Sequence, residues 1–475
     1  GHTAHLGTLP WPSSRRQPPQ LGAANETDIM KEAVREFQNR LCNLNRTMVI
    51  YPSSVFEADS LIFLLVREKA TRKLVILRDR STPDSASSSF APEESGEFKA
   101  DGREFRYLLC PCNHLNADAI RGVFSFTRPM PIGNETAVGA GDRIGLATPG
   151  HIRAFRRFKV FPVLAQQSIR EMVKTGRSPE QVMDDVSWAV FQEGYTGGFG
   201  SDADHLKSEE DLLKTFNAGF TMYTIDPSDL VDDRADEYDN RDLAKKFEQI
   251  RWEWMKCSPD EFTRMYLDRK FSIHACNETV ELQFSQLDLT RIAVRYSNAI
   301  IHAAKLGNRL ADLFNGRPFD LEVSFDETRH PTSSLEHLFI VSELRRLGVM
   351  ARSIAVHFVG IFEKGIDYQG DLTEFRETLA EHVAISKSCG PYLLSIHSGS
   401  DKFSVYPILA SATDGLFHLK TAGTSYLESL RVVARHDPQL FREIAQYCMG
   451  TFESDRSYYA IGTRLDMIPN PESVS

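Results

Sequence analysis

At 475 residues, 41% of them hydrophobic, the chain has the apolar material for a large core and the length for one barrel-sized domain plus an additional domain. A formal net charge of −10 with no sustained basic run excludes the electrostatic footprint of a nucleic-acid binder. No apolar stretch reaches the roughly 20 residues that cross a bilayer, and no signal-peptide pattern opens the chain, so the expectation is a soluble, cytoplasmic protein with no membrane partner.

Residues 1–28 are rich in Pro, Ser and Gly and are expected to form a flexible N-terminal segment outside the fold. Beyond them, a helical stretch EAVREFQNRL precedes strand-like runs at TMVIYP, SLIFLLVRE, KLVILRD and FRYLLCP. The Ser-rich STPDSASSSFAPEESGE between the last two reads as a loop. Together they predict an N-terminal α/β domain over 29–140, a cap that covers a barrel or builds the interface of a homo-oligomer. The seven cysteines are odd in number, and Cys110-Pro-Cys112 is too closely spaced for a CxxC pair, so no disulfide framework is expected. Sequons at Asn25, Asn45, Asn134 and Asn277 carry no meaning in an intracellular protein.

From Asp142 to Lys420 one pattern recurs eight times: a short apolar run, a cluster of polar and ionisable residues, then helical periodicity. The runs are DRIGLATPGH, FPVLAQQS, GFGSDADH, FTMYTIDPSD, FDLEVSFDET, ARSIAVHFVG, YLLSIHSGSDK and GLFHLKTAG. Eight buried strands alternating with helices predict an α/β fold, a (β/α)8 TIM-type barrel over 141–465, whose chemistry sits where the strands end. The interval after the fourth run is too long for one helix and reads as a helical insertion, 230–316, at the catalytic face.

The strand ends supply the candidate site. GlyPheGlySerAspAlaAspHis presents Asp204 and His205 side by side, and neighbours on a strand point in different directions, so one can ligate a metal while the other faces substrate. Ser208 suits the N-cap of the next helix better than either. LEVSFDETRH ends a strand on Asp326 and Glu327, either of which could act as general acid or base. His357, His397 and His418 end three consecutive strands, with His205 opposite them. Such an imidazole-rich site suits Zn2+, Mn2+, Co2+ or Ni2+ with three protein ligands and open positions, leaving the fourth His for substrate.

Ser398, Asp401 and Lys402 after the seventh run, and Lys420 with Thr421-Ala422-Gly423-Thr424-Ser425 after the eighth, suit a phosphate or carboxylate. Asp226 belongs to the same strand-end set. Gln166, Gln167 and the Thr148-Pro149-Gly150-His151 turn would complete a hydroxyl-rich sugar site. GxSxG, HExxH, Walker-type and strand-following GxGxxG sequences are absent, which removes the common hydrolase, kinase and nicotinamide signals.

FPVLAQQSIRE, GSDADHLK, TIDPSD, SFDET with PTSSLEH, FEKGIDYQGD, SIHSGSDKFSVYP and FHLKTAGTSYLESLR together resemble the bacterial tagaturonate/fructuronate epimerase family over roughly residues 140–460. The resemblance implies a divalent-metal-dependent isomerase of hexuronate catabolism that interconverts D-tagaturonate and D-fructuronate, with a small sugar acid as its partner. It implies Asp204 as proton acceptor, Glu327 as the opposing acid, and His205, His397 and His357 as metal ligands. Gln166, Gln167, Asp226, Ser398, Asp401, Lys402, His418 and Lys420 are then left for substrate, and Glu363 and Asp367 are further oxygen donors. The two ketouronates differ at a carbon β to the ketone, whose C–H is not acidified, so a retro-aldol route is expected. A xylose-isomerase-type aldose–ketose isomerase and a non-catalytic sugar-acid-binding barrel are the alternatives.

Overall fold

The chain divides into two compact units, one running to Ala119 together with Gly194–Gly198 and the other comprising Ile120–Glu193 and the chain from Phe199 onward. The computed structural model describes residues 28–43, 46–275, 278–421, 424–456 and 462–470. The flexible segment expected over 1–28, Asn25, Asn45, Asn277 and the Ala422-Gly423 pair lie wholly or almost wholly outside the described residues.

In the first unit, helix α1 (Asp28–Asn43) precedes β1 (Met48–Ile50), β2 (Phe56–Ala58), β3 (Leu61–Glu68), β4 (Thr71–Asp79), β5 (Glu94–Ala100) and β6 (Arg103–Pro111). They form an antiparallel sheet in the order β1-β3-β4-β6-β5, with β2 on β3. Met30, Ala33, Phe37 and Leu41, at helical spacing, bury against Ile62, Leu64, Val66, Val75 and Leu77, which alternate along the central strands as one face of a sheet must. The Ser-rich loop is shorter than expected: Glu94–Ala100 pairs with β6 residue for residue. Its alternating exposed polar side chains mark an edge strand, which a search for apolar runs passes over.

Helix α2 (His114–Val123) leads into the second unit. Its strands are β7 (Ala137–Ala140), β8 (Phe161–Ser168), β9 (Gly200–Leu206) and β10 (Met222–Ile225), then, past a hairpin of β11 (Phe271–Ala275) and β12 (Glu278–Leu282), β13 (Asp320–Phe325), β14 (Ser353–Val356), β15 (Leu393–Ile396) and β16 (Phe417–Thr421). Apart from the hairpin they close into one barrel, β10-β13-β14-β15-β16-β7-β8-β9, with every neighbour parallel. Helices α3 (Thr148–Phe155), α4 (Ile169–Thr175), α5 (Pro179–Glu193) and α6 (Glu209–Asn217) connect the early strands. Ser208 caps α6 by accepting the Asp211 N–H, as expected.

The first barrel strand is not DRIGLATPGH. The Asp142 carboxylate accepts the backbone N–H groups of Leu146, Ala147 and Thr148, folding that run into a turn that starts α3 with Pro149 in its first turn. The strand is instead Ala137–Ala140, one residue ahead of that run, and Thr148-Pro149-Gly150-His151 is helical rather than a strand-end turn. After β10 come α7 (Asn240–Glu248), α8 (Trp252–Met255), α9 (Pro259–Leu267), the hairpin, and α10 (Gln286–Phe314), 29 residues opened by a Ser285–Asp288 capping box. The insertion after the fourth strand is thus helical apart from one hairpin. Helices α11 (Ser334–Arg346), α12 (Leu372–Cys389), α13 (Tyr406–Ala412), α14 (Tyr426–His436) and α15 (Pro438–Arg456) complete the chain, α11 beginning with the Ser333–Glu336 capping box. Among the described residues no helix is long and apolar enough to cross a membrane, and Cys110, Cys112, Cys257, Cys389 and Cys448 are free thiols.

Candidate active site

The site starts from an irregularity in β9. Tyr223 pairs with Ala203 and Ile225 with Leu206, so Asp204 and His205 together oppose Thr224 alone. This is a β-bulge, and His205 sits within it at φ 53°, in the left-handed region that costs a non-glycine residue about 1–2 kcal/mol. Asp204 and His205 would face opposite ways on a regular strand; the bulge turns both into one cavity of about 700 Å³ at the barrel's strand ends.

Beneath that cavity lies a buried charge network. Lys420 Nζ is 2.7 Å from Asp202 Oδ2 and from Asp204 Oδ1, and 2.9 Å from Glu322 Oε1. Burial alone would lower the Lys420 pKa, but the three carboxylates outweigh it and hold the ammonium charged far above its usual range. Glu322, fully buried, accepts from His397 Nε2 at 2.7 Å, His418 Nδ1 at 2.9 Å and Ser353 Oγ at 2.5 Å as well as from Lys420. Burial would push its carboxyl up; the Lys420 charge and the hydrogen bonds from His397 and His418 keep it ionised. Asp204 is likewise held ionised against burial, by Lys420 first and then by His205 and His397. Asp202 goes the other way, pushed up by burial and by its two carboxylate neighbours.

Three histidines each spend one ring nitrogen on the protein and present the other. His205 Nδ1 is 3.1 Å from Asp226 Oδ2, His397 Nε2 is held by Glu322, and His357 Nδ1 donates to the Thr328 carbonyl at 2.9 Å. Fixing one nitrogen so that the other is aimed is how proteins orient metal-binding imidazoles. His397 Nδ1 is buried without a hydrogen-bond partner among the described residues, although Asp326 Oδ2 is only 3.2 Å away. A neutral His397 would set a lone pair against that carboxylate. A proton or a metal cation resolves the conflict: burial disfavours the proton, yet Asp326 raises the His397 pKa to about 10. The nitrogen and oxygen donors therefore fit a divalent cation. His205, Asp326 and His397 bring ligand atoms within 4.8 Å of one another, as do His205, Asp226 and Glu327. His357 lines the same cavity but belongs to neither group, whereas Asp326, expected from the sequence as an acid or base, belongs to the first.

Of the residues expected to bind substrate, Gln166, Ser398 and Lys420 line the cavity. Gln166 lies across Gly139, where an added Cβ would meet its Oε1 at 1.4 Å, and donates to the Thr421 carbonyl. Gln167, the next residue along β8, points out of the barrel to Thr175 and Arg177, as strand alternation requires. Asp226 backs His205 rather than the cavity. His418 is fully buried on Glu322 and held neutral, burial lowering its pKa to about 4. Lys402 is also buried and spends its three N–H groups on the carbonyls of Glu363, Ile366 and Ser400. Asp401 is exposed. Glu363 accepts the Gly462 N–H and Asp367 the Ser404 N–H, so both fasten loops. Glu327 lines the cavity 3.9 Å from Arg170.

The profile of the tagaturonate epimerase family matches residues 51–475, reaching well into the N-terminal unit. A tagaturonate/fructuronate epimerase from Thermotoga maritima is 42% identical over 433 residues, 91% of this chain and 85% of its own. This chain belongs to the tagaturonate epimerase family. Crystal structures of the fructuronate-tagaturonate epimerase from Cohnella laeviribosi are similar throughout: the native form at TM-score 0.80 and 36% identity over 94% of this chain and 86% of that one, and a glycerol complex at TM-score 0.82 over 93% and 85%.

Sequence reasoning missed two residues at the heart of this family member's site, Asp202 and Glu322, and assigned no metal role to Asp326. A signal was available. Asp202 and Asp204, Glu322, Ser324 and Asp326, and His418 and Lys420 recur at every second position, so each set shares the barrel-facing side of its strand. Polar residues with period 2 inside otherwise apolar strands locate the interior of the network, whereas attention to strand ends alone finds only its upper edge.

Proposed function

We propose that this chain interconverts D-tagaturonate and D-fructuronate by 4-epimerisation with a divalent cation. The observation that supports this most is the convergence, in a member of this family, of the presented nitrogens of His205 and His397 and the Asp326 carboxylate beside the Asp204–Lys420 pair, with His357 lining the same cavity. A cation held there by these residues would supply Lewis acidity to the ketone oxygen and offset negative charge as it develops.

The chain's own groups do the rest. Asp204, ionised beside Lys420, accepts the proton of the hydroxyl on the carbon β to the ketone. The bond between that carbon and the α carbon breaks, its electron pair passing toward the ketone as an enediolate while the β carbon becomes an aldehyde; the aldehyde end rotates, and the enediolate re-forms the bond on the other face. Lys420 holds Asp204 in place, and Glu327, half-exposed at the mouth, returns or accepts the proton on the second side. Gln166 and Ser398 orient the hydroxyls. The proposal is tested by incubating protein with Mn2+, Co2+, Ni2+ or Zn2+ and D-fructuronate and following D-tagaturonate by NMR. Conversion that disappears on chelation and in Asp204→Asn is expected; no conversion with any of the four metals would overturn it.

A further inference from the structure

Two cations line the cavity that the chemistry at the strand ends does not use. Arg170 opens α4 after β8, and Lys364 sits in the loop after β14; both face the space bounded by Asp204, His205 and His397. The loop bearing Lys364 is built rather than loose. Ile361 and Gln369 pair across it, Lys402 clasps its Glu363 and Ile366 carbonyls at 2.7 and 2.6 Å, Glu363 takes the Gly462 N–H at 2.6 Å, and Phe362, Tyr368 and Phe375 pack ring on ring.

The charges facing Lys364 are Glu171, Arg143, Arg170 and Asp204. Glu171 pairs with Arg143 and Glu327 lies 3.9 Å from Arg170, so at the mouth Arg143, Arg170 and Lys364 face two glutamates and positive charge is in excess by one. Burial lowers the Lys364 pKa, as expected for an ammonium taken out of water. The floor is the reverse, crowded with Asp202, Asp204, Glu322 and Asp326. A ligand with one carboxylate and a chain of hydroxyls is repelled from the floor at its anionic end and attracted at the mouth.

We infer that Lys364 and Arg170 bind the carboxylate of the sugar acid, so that the molecule enters with its ketone end toward His205 and His397, and that this clamp selects uronates over neutral ketoses. The inference rests on the proposed ketouronate substrate. Lys402 is then a positioning residue, holding the loop that carries Lys364.

The test compares metal-supplemented wild type, Lys364→Met, Lys364→Arg and Arg170→Met, measuring KM and kcat for D-fructuronate and, by calorimetry, binding of D-fructuronate and of D-fructose, which has a CH2OH in place of the carboxylate. Loss of a charge-assisted contact predicts a rise in KM of about tenfold or more in Lys364→Met and Arg170→Met. D-fructose binding should be unchanged, and Lys364→Arg should stay near wild type. If wild type converts D-fructuronate and both Met variants keep its KM, or if they lose D-fructose binding equally, the clamp is overturned while the epimerase function stands. If wild type does not convert D-fructuronate, both fall together.

Discussion

The Lys420 ammonium and the Asp204 carboxylate, 2.7 Å apart, make each other's charge tenable in a place where burial opposes both. Lys420 also serves Asp202 and Glu322, so one cation compensates three carboxylates. Removing the cation of a buried ionic cluster leaves its carboxylates uncompensated and costs about 3–5 kcal/mol, whereas without Asp204 the ammonium still has two carboxylate partners. Lys420→Met should therefore lower the midpoint of thermal unfolding by several degrees as well as abolish turnover. Asp204→Asn should cost turnover alone, by about 10²-fold or more. A calorimetric scan beside an activity assay separates the two; equal stability loss in both variants would contradict this division of roles.

Glu322 predicts a different phenotype. It touches no cavity surface, yet it fixes His397 Nε2 and so aims Nδ1. Glu322→Gln keeps the shape but replaces one acceptor oxygen with an N–H donor. Metal affinity should fall about 10–100-fold, as for other groups that orient a metal-binding imidazole, measured by titration with Zn2+ or Mn2+. Unchanged affinity would mean that His397 does not need its anchor.

Most of the barrel was legible because its strands are continuous apolar runs separated by capped helices, and Ser208 and the eighth strand fall where the patterns put them. The first strand was not, because AVGA is too short and small to register as an apolar run while DRIGLATPGH imitates one. The pairing of Asp204 with His205 was legible; what makes both face inward, a one-residue bulge against Thr224, depends on the register with β10, which no local pattern encodes. Lys402 is the instructive error. A Lys after a Ser/Gly-rich strand end reads as an anion ligand, but whether its donors meet a ligand or three carbonyls is settled by a loop nearly forty residues away in sequence.

That loop contact yields a third expectation. Lys402→Met removes the three N–H···O=C bonds that hold Glu363, Ile366 and Ser400, so amide hydrogen exchange across residues 360–369 should accelerate while the barrel strands stay protected. KM should rise with it if the loop presents Lys364. Accelerated exchange spread over the whole barrel would show instead that Lys402 supports global folding.

Between α11 and α12, His337 and His382 meet with their Nδ1 atoms 3.0 Å apart. Tyr392 OH donates to His337 Nε2 at 2.8 Å, so His337 Nδ1 carries the proton and donates to His382, whose other nitrogen donates to the Thr332 backbone. Both rings must be neutral for this chain of donors to run. Burial lowers the His382 pKa to about 4 and His337 well below its usual value, the latter also through His382. An unfolded histidine titrates near 6.5. Between the folded and unfolded values the unfolded state binds more protons, so stability is fully present above about pH 6.5 and is lost as pH falls toward 4, by up to about 1.4 kcal/mol per pH unit for each ring. His382→Gln keeps an acceptor for His337 and a donor for Thr332 but cannot titrate. Urea midpoints at pH 7.5, 6 and 5 should therefore fall less steeply in His382→Gln than in wild type, and parallel curves would show that the pair does not contribute to the acid sensitivity of the fold.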